Sequence, residues 1–495
     1  MRLHSFPGGL SLPGNKAPST AQGLQHCALP AELRLPLLQH AGRPALACVS
    51  VGERVQRGQP VARADGAVSA AVHSPCAGVV EAIQAVASAR LAGAPVAHVV
   101  VRVEAEGDLT PLAAFDWQTA DPDDLRSRIR EAGVVGLGGA GYPTAEKLAV
   151  GRELLVLNGA ECEPWIACDD ALLREHADEV VRGGCLMARA VGATRVLLAI
   201  EDSMTQALAA ARAAAADHGN DAVQVVAVPT KYPQGGERQL IQTLTGREVP
   251  RGGLPRDLGV LVHNVGTARA AWRAVAAGEP LMARVVTVTG GGVARPGNYW
   301  VPLGTTVAHL VAQAGGYRAD AARLLLGGPM MGLALADDDV ALGKQDNCVL
   351  VLARHELPDA RTELPCIRCG ACADACPSRL LPQQLLWHAR SDQPARGEAQ
   401  GLFDCIECGA CDLACPSAIP LTATFRRAKR QLRDAAAASE QALAARQRFE
   451  ARQQRLERLA AERAQRHEAR KADAASPDAV AAALERARAK RAAPP

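Results

Sequence analysis

Two segments of the chain, CIRCGACADACP at Cys366–Pro377 and CIECGACDLACP at Cys405–Pro416, share one spacing, C-x2-C-x2-C-x3-C-P. No other feature constrains folding so tightly, because eight thiolates in this pattern must converge on metal. Three closely spaced cysteines on a tight loop supply three corners of an iron–sulfur cube. The fourth, a helical turn later and followed by proline, turns away to serve the neighbouring cube. On that logic Cys366, Cys369, Cys372 and Cys415 hold one [4Fe–4S] cluster, and Cys405, Cys408, Cys411 and Cys376 hold the second. Gly370 and Gly409 fall inside the loops, where a side chain would crowd the cluster and backbone N–H groups can face sulfide. Zinc is the competing metal, but its structural sites use separated C-x2-C pairs rather than three cysteines at successive short intervals. Two one-electron carriers held side by side make an electron wire.

The chain is 495 residues long, enough for three or four domains. Aromatics are only 3% of it against 48% apolar residues, so its cores are built mostly from Ala, Val and Leu. The opening MRLHSFPGGLSLPGNK has no continuous apolar stretch and does not read as a signal peptide. No run approaches the roughly 18 apolar residues that a membrane span needs. The expectation is a soluble, cytoplasmic protein whose membrane contact comes through partners. In that compartment 15 cysteines do not form a disulfide framework. The seven outside the motifs (Cys27, Cys48, Cys76, Cys162, Cys168, Cys185 and Cys348) are expected to be small buried hydrophobes. Residues 426–495 carry 18 Lys/Arg and 9 Asp/Glu, against a net +3 for the whole chain. The body is therefore mildly acidic, which excludes a nucleic-acid-binding core.

A second signal is the glycine run GLGGAGYPTAEKL at 136–148. Gly136, Gly138 and Gly141 fit G-x-G-x-x-G, and LLVLN followed by Glu161 lies where a strand and an acidic residue complete a dinucleotide fingerprint. Alone this is a weak signal, and a simple turn fits it as well. Pro143 suits the first turn of a helix, and Lys147, one of only seven lysines, stands a turn further on, within reach of a phosphate.

The run GLGGAGYPTAEKL, with NGAECEP (158–164), YPQGGERQL (232–240) and HNVGTA (263–268), resembles the FMN-binding core of the NADH-oxidising flavoprotein subunit of respiratory complex I. With the FPGGLSLPGNK opening and the two cysteine motifs, residues 1–420 resemble the RnfC/RsxC family, a component of Rnf-type (Rsx-type) electron transport complexes. That resemblance implies that Gly136, Gly138, Gly139 and Gly141 wrap FMN, with Tyr142 stacking and Lys147 on the phosphate. It places Asn158, Glu161 and Glu163 along the flavin and nicotinamide side, and Gly235, Gly236 and Glu237 on the opposite loop, with the three glutamates as catalytic candidates. Where the complex I flavoprotein has two successive acidic residues this chain has Gly236 and then Glu237, which weakens the expected NADH contacts. Cys162, between two glutamates, is not expected to be a reactive thiol.

The expected architecture is multidomain α/β. An N-terminal arm (1–30) leads into a barrel-sandwich, lipoyl-like domain (31–105), similar to biotinyl and lipoyl carriers. Its hairpin tip reads ADGA and the segment has no lysine, so it scaffolds or docks rather than swings. A Rossmann-like FMN/NADH domain (106–270) and a β-grasp soluble-ligand-binding domain (271–350) follow, with Gly290–Gly292 expected in a hairpin turn and the GGPMMG loop (327–332) near the flavin or a cluster. A two-cluster ferredoxin-type domain (351–422) and an Ala/Arg/Glu/Gln-rich tail (423–495), helical or disordered, complete the chain.

By this resemblance the protein is the peripheral electron-input subunit of an ion-translocating complex on the cytoplasmic face of the inner membrane. NADH reduces FMN, and electrons pass through the two [4Fe–4S] clusters to membrane subunits, in exchange with a low-potential acceptor such as ferredoxin. The rivals are a soluble cobalamin reductase of the same layout and a non-catalytic electron-transfer scaffold with a degenerate flavin site.

Overall fold

The computed structural model describes residues 2–91, 93–113, 116–218, 222–359 and 361–492. At its centre is a four-stranded parallel sheet of β1 (Leu154–Gly159), β2 (Arg195–Glu201), β3 (Val223–Val228) and β4 (Val260–Asn264), in the order β3-β2-β1-β4. LLVLN, VLLAIE and VLVHN are nearly continuous apolar runs because helices cover both faces, as parallel sheets require. The helices are α1 (Cys168–Val191), α2 (Thr205–His218), α3 (Glu237–Thr245) and α4 (Val265–Ala276). Strand order reverses between β1 and β4, and the crevice at the carboxyl ends of such a pair is where doubly wound sheets bind ligands.

The glycine run does not occupy the fingerprint position expected of it. No strand of the sheet precedes it. It follows the helix Pro122–Glu131 and forms its own loop, with Val135 bridging Pro143 and Gly136 and Tyr142 hydrogen-bonded through their backbones. The following helix is a single turn, Thr144–Lys147. The loop therefore approaches the β1/β4 crevice from outside the sheet. The sequence pattern matches the glycines without the strand that defines the fingerprint.

Around this core the barrel-sandwich segment forms a four-stranded and a three-stranded antiparallel sheet, with the ADGA tip between the strands Pro60–Arg63 and Val72–His73. The β-grasp sheet has six strands, one of which, the edge strand Gln25–His26 alongside Gly297–Pro302, comes from the N-terminal arm. Gly290–Gly292 do lie in a hairpin connection, between Ala283–Thr289 and Gly297–Pro302. The strand Cys348–Ala353 pairs within this sheet, so the division expected at 350/351 falls inside it.

In the cysteine-rich unit the repeat is visible in the backbone. Positive φ angles recur at Arg368 and Glu407 (58° and 59°), Gly370 and Gly409 (83° and 75°), and Arg379 and Ala418 (51° each). Two non-glycine residues in this disfavoured region at each repeat mark tight loops curling around a centre. The long helix α5 (Leu421–Ala474) then begins. Phe425, Ala428 and Lys429 are buried in the cysteine-rich unit, so the division expected at 422/423 falls within this helix. Every residue from Arg433 to Ala475 is exposed. Among the described residues no helix is long and apolar enough to cross a membrane.

Of the seven cysteines outside the motifs, Cys27, Cys76, Cys168 and Cys348 are buried and Cys162 and Cys185 partly so. Cys48 is exposed, with its thiol directed at the Pro60 carbonyl. It lies one residue past the short edge strand Leu46–Ala47, where the small sandwich has no layer left to cover it.

Candidate functional site

The eight motif cysteines line two separate cavities. Cys366, Cys369, Cys372 and Cys415 surround one, walled by Leu386, Ile419 and Leu421. Cys405, Cys408, Cys411 and Cys376 surround the other, walled by Leu385, Ile406 and Phe425. The fourth cysteine of each motif has crossed to the other's cavity, because the short helices Ala371–Asp374 and Ala410–Ala414 carry it away from its own loop. Four soft ligands in an apolar cage, twice over, fit iron–sulfur clusters.

The two cavities differ in surroundings. Cys366 and Cys369 are exposed, whereas Cys408 and Cys411 are buried. The second-motif cavity abuts the flavin-type domain through Tyr232, whose hydroxyl donates to the Cys408 carbonyl at 2.6 Å. Tyr232 is 2% exposed and packs with Ala375, Cys408, Cys162 and Met330. Lys429 and Arg426, from the root of α5, hold Glu407 at 2.8 and 2.9 Å, and Lys429 also donates to the Cys405 carbonyl at 2.6 Å. Burial raises the Glu407 carboxyl, but the bonds from Lys429 and Arg426 outweigh it and hold the group below the usual range.

The N-terminal arm is a strap across the same junction. Leu10 pairs with Tyr232 through both backbone hydrogen bonds, and Gly9 N–H donates to the Ala375 carbonyl at 3.0 Å. Gly8 has φ +61°, and a Cβ there would lie 2.6 Å from the carbonyl carbon and oxygen of Cys376. Only glycine fits between the arm and the cysteine. At the far end of the strap Lys16 donates to the Glu161 carbonyl and lies 3.7 Å from its carboxylate.

On the sheet side, the structure brings several of the expected flavin residues together at the β1/β4 crevice. The Asn158 amide donates to the Gly235 carbonyl at 2.9 Å and accepts from Ala160 N–H at 3.0 Å, tying the end of β1 to the loop before α3. Lys147 donates at 2.7 Å both to Glu237, at the start of α3, and to the Val262 carbonyl. Gly138, Gly139 and Tyr142 are exposed, and a Cβ on Gly139 would meet nothing within 4 Å. Gly138 lies against Asn264, which caps α4 by accepting from Gly266 N–H at 2.8 Å. Gly141 is pressed against Gln345 of the β-grasp unit, and its carbonyl accepts from Ala41 N–H of the barrel-sandwich. Open glycine backbone, one cation and a helix N-terminus in one place fit a flat cofactor that carries a phosphate.

Glu161 and Glu163 are engaged elsewhere. The Glu161 carboxylate accepts the N–H groups of Asp169 and Asp170 at 3.0 and 3.3 Å, at the start of α1, and the Cys168 thiol at 3.2 Å. One Glu163 oxygen accepts the N–H groups of Met330 and Met331 at 2.8 and 3.0 Å, clamping the GGPMMG loop. That loop in turn sits over Gly409 of the second motif, with the Met330 carbonyl 3.1 Å from where a Cβ would stand. The loop expected near the flavin or a cluster thus bridges the two. Burial pushes the Glu163 carboxyl above its usual range, although both loop N–H groups oppose this. The Cys162 sulfur accepts from Gly235 N–H at 3.2 Å, and burial pushes its thiol up to about 12, so it is no ready nucleophile. Of the three glutamates, Glu237 alone stands in the open crevice, its side chain 39% exposed.

Several site-forming residues give little sign of themselves in the sequence. Tyr232, Gly8 and Met330 touch the cysteine unit only through long-range contacts that no local pattern encodes. Asn264 is findable, since Asn before a helix-forming run is a capping signal.

These features define a class: a doubly wound FMN-binding-type domain packed against a dicluster ferredoxin-type unit, an electron-transfer flavoprotein architecture. Comparison with known families agrees unit by unit. Residues 4–106 match the RnfC barrel sandwich hybrid domain, 129–273 the Nuo51 FMN-binding domain, 285–334 the SLBB domain and 365–419 the 4Fe-4S dicluster domain. Relatives named as the C subunit of an ion-translocating oxidoreductase complex occur in Pseudomonas aeruginosa (48% identical, covering 93% of this chain and 60% of the relative), Citrobacter koseri (44%, covering 99% and 70%) and Pectobacterium atrosepticum (43%, covering 99% and 71%). The chain belongs to this RnfC family. It spans about 60% of the length of the Pseudomonas relative and of one from Erwinia tasmaniensis. Among solved structures, an NAD+-reducing [NiFe]-hydrogenase in the H2-reduced state aligns with a TM-score of 0.45 and 23% identity, over 64% of each chain.

Proposed function

We propose that this chain is the electron-input subunit of an ion-translocating oxidoreductase complex, taking electrons from NADH and passing them to membrane-bound partners. It would sit peripherally, on the cytoplasmic face of the membrane. The observation that carries the reading is the contact between the flavin-type crevice and the second cysteine cavity, made by Tyr232, the GGPMMG loop and the N-terminal strap. A redox chain needs its carriers close and fixed, and three independent connections hold this junction.

In this reading Gly136, Gly138, Gly139 and Gly141 cradle FMN, Tyr142 covers it, and Lys147 leaves Glu237 to meet the phosphate. Asn158, Gly235 and Gly236 shape the wall opposite. Bound FMN supplies the conversion between a hydride pair and single electrons, and the two [4Fe–4S] clusters supply one-electron carriage. Glu237 is the carboxylate free to contact nicotinamide. We infer that Glu161 and Glu163 position α1 and the 327–332 loop rather than exchange protons with substrate. Tyr232 ties the second-motif Cys408 to the flavin-type domain, while Cys366 and Cys369 of the first motif are exposed.

The test is anaerobic addition of NADH to the FMN- and iron-reconstituted protein. Bleaching of the flavin bands with reduced-cluster EPR signals is the expected result. Clusters that reduce with dithionite but not with NADH would make the chain a conduit whose electrons enter elsewhere.

A further inference from the structure

The glutamates mixed into the C-terminal tail dilute its positive charge in the linear sequence, but the helix sorts them. Along α5, Arg448, Arg452, Arg455, Arg463, Arg466 and Arg470 follow one another at steps of three and four residues, with Leu459 filling the one gap. At 3.6 residues per turn these positions form a single straight row about 33 Å long. Phe449 and Leu456 flank the row on one side. Glu450, Glu457 and Glu468 project roughly 160–180° away, on the opposite face, and only Glu462 stands beside the row. All of these residues are exposed. The one ion pair along this stretch among the described residues, Arg446–Glu450, involves none of the six arginines.

We propose that this face of α5 docks on an acidic lipid surface. Charge complementarity selects an anionic partner: six guanidinium groups with no ion pair among the described residues line one face, and three of the four carboxylates along it are turned away. The flanking Phe and Leu side chains select a lipid interface over a nucleic acid, because apolar groups beside the cationic row can enter the headgroup region while the arginine stems lie along it. The row begins about five turns beyond the last buried residues of α5, Ala428 and Lys429, so a body of opposite charge does not obstruct contact. Each arginine adds a salt-sensitive increment of attraction that falls off within a Debye length. This goes beyond the electron-transfer reading and does not depend on any cofactor being bound.

The experiment is flotation of the full chain with phosphatidylcholine vesicles, with and without phosphatidylglycerol. Wild-type protein is expected to float only with the anionic vesicles and to be released by high salt. The combined variant Arg452→Gln, Arg455→Gln, Arg463→Gln and Arg466→Gln is expected to bind at least roughly tenfold more weakly. The variant Arg446→Gln, Arg458→Gln, Arg486→Gln, Arg488→Gln and Arg491→Gln loses more charge, all of it off the row, and is expected to float as wild type does, which separates face-specific docking from a general charge effect. Unchanged helicity by circular dichroism and unchanged iron content in every variant exclude misfolding. Wild-type protein that ignores anionic vesicles, a quadruple variant that still floats, or a stronger preference for single-stranded RNA than for the vesicles would each overturn the proposal. Because the assay uses no NADH, failure of electron input and failure of docking are read separately.

Discussion

At the scale of single residues, Tyr232 shows how one side chain joins two units. Its ring fills the junction and its hydroxyl satisfies the buried Cys408 carbonyl. Tyr232→Phe leaves that carbonyl unpaired and is expected to cost about 1–3 kcal/mol in a denaturant titration of the holo-protein. Its bound iron should stay at the wild-type level. The midpoint potential of one cluster should move while the other stays, because only the second-motif cavity meets the hydroxyl. Glu201 offers a different test. It ends β2 almost wholly buried, and neither of its oxygens has a hydrogen-bond partner among the described residues. Burial pushes its carboxyl up to about 7 from 4.5. A native state that holds this proton more tightly than the unfolded chain loses stability as pH rises from about 4.5 to about 7, and no more above that. Glu201→Gln should remove that decline and stabilise the protein by up to about 3 kcal/mol above pH 7, seen as a flatter profile of melting temperature against pH. The sequence shows neither property, since both depend on what lies across the fold.

At the scale of elements, the crossing of the fourth cysteines is the strongest expectation of the sequence, and the cavities are arranged that way. It predicts paired losses. Cys415→Ser should abolish the same EPR signal as Cys366→Ser, and Cys376→Ser the same signal as Cys405→Ser. Loss of one signal by both Cys366→Ser and Cys376→Ser would mean that each motif serves itself. The helix α5 divides into two parts of different character. Ending the chain after Asp434 should preserve iron content and NADH oxidation. Ending it after Thr422 removes buried Phe425 and the Lys429 and Arg426 bonds to the second motif, and should lower bound iron. The glycine run is the element whose spacing misstates its context. That spacing matches a strand–glycine–helix fingerprint, but the loop starts from a helix and reaches the crevice from outside. Glycine patterns encode permitted backbone shapes, and several folds use the same shapes.

At the scale of the whole molecule, three units converge on one loop. Gly141 touches the barrel-sandwich through Ala41 and the β-grasp through Gln345, while fully buried Lys344 donates to Ala71 and Gly133 at 2.6 and 2.7 Å. Lys344→Met would keep the volume and remove both bonds. It should loosen this junction, detected as faster limited proteolysis between the barrel-sandwich and the rest, with motif cysteines unaffected. Residue types and their spacing suffice for the metal-ligand set, the crossed pairing, the apolar parallel strands and the absence of a carrier lysine. These are short-range properties, where spacing fixes which atoms can meet. Only the folded chain sets the second motif against the flavin-type domain. Only there do Glu161 and Glu163 serve backbone amides, and only there is the arm opening with FPGG a strap against Cys376. Each of those depends on contacts between segments far apart in the chain, which form only when buried surface and hydrogen bonding from the whole fold offset the entropy of closing such long loops.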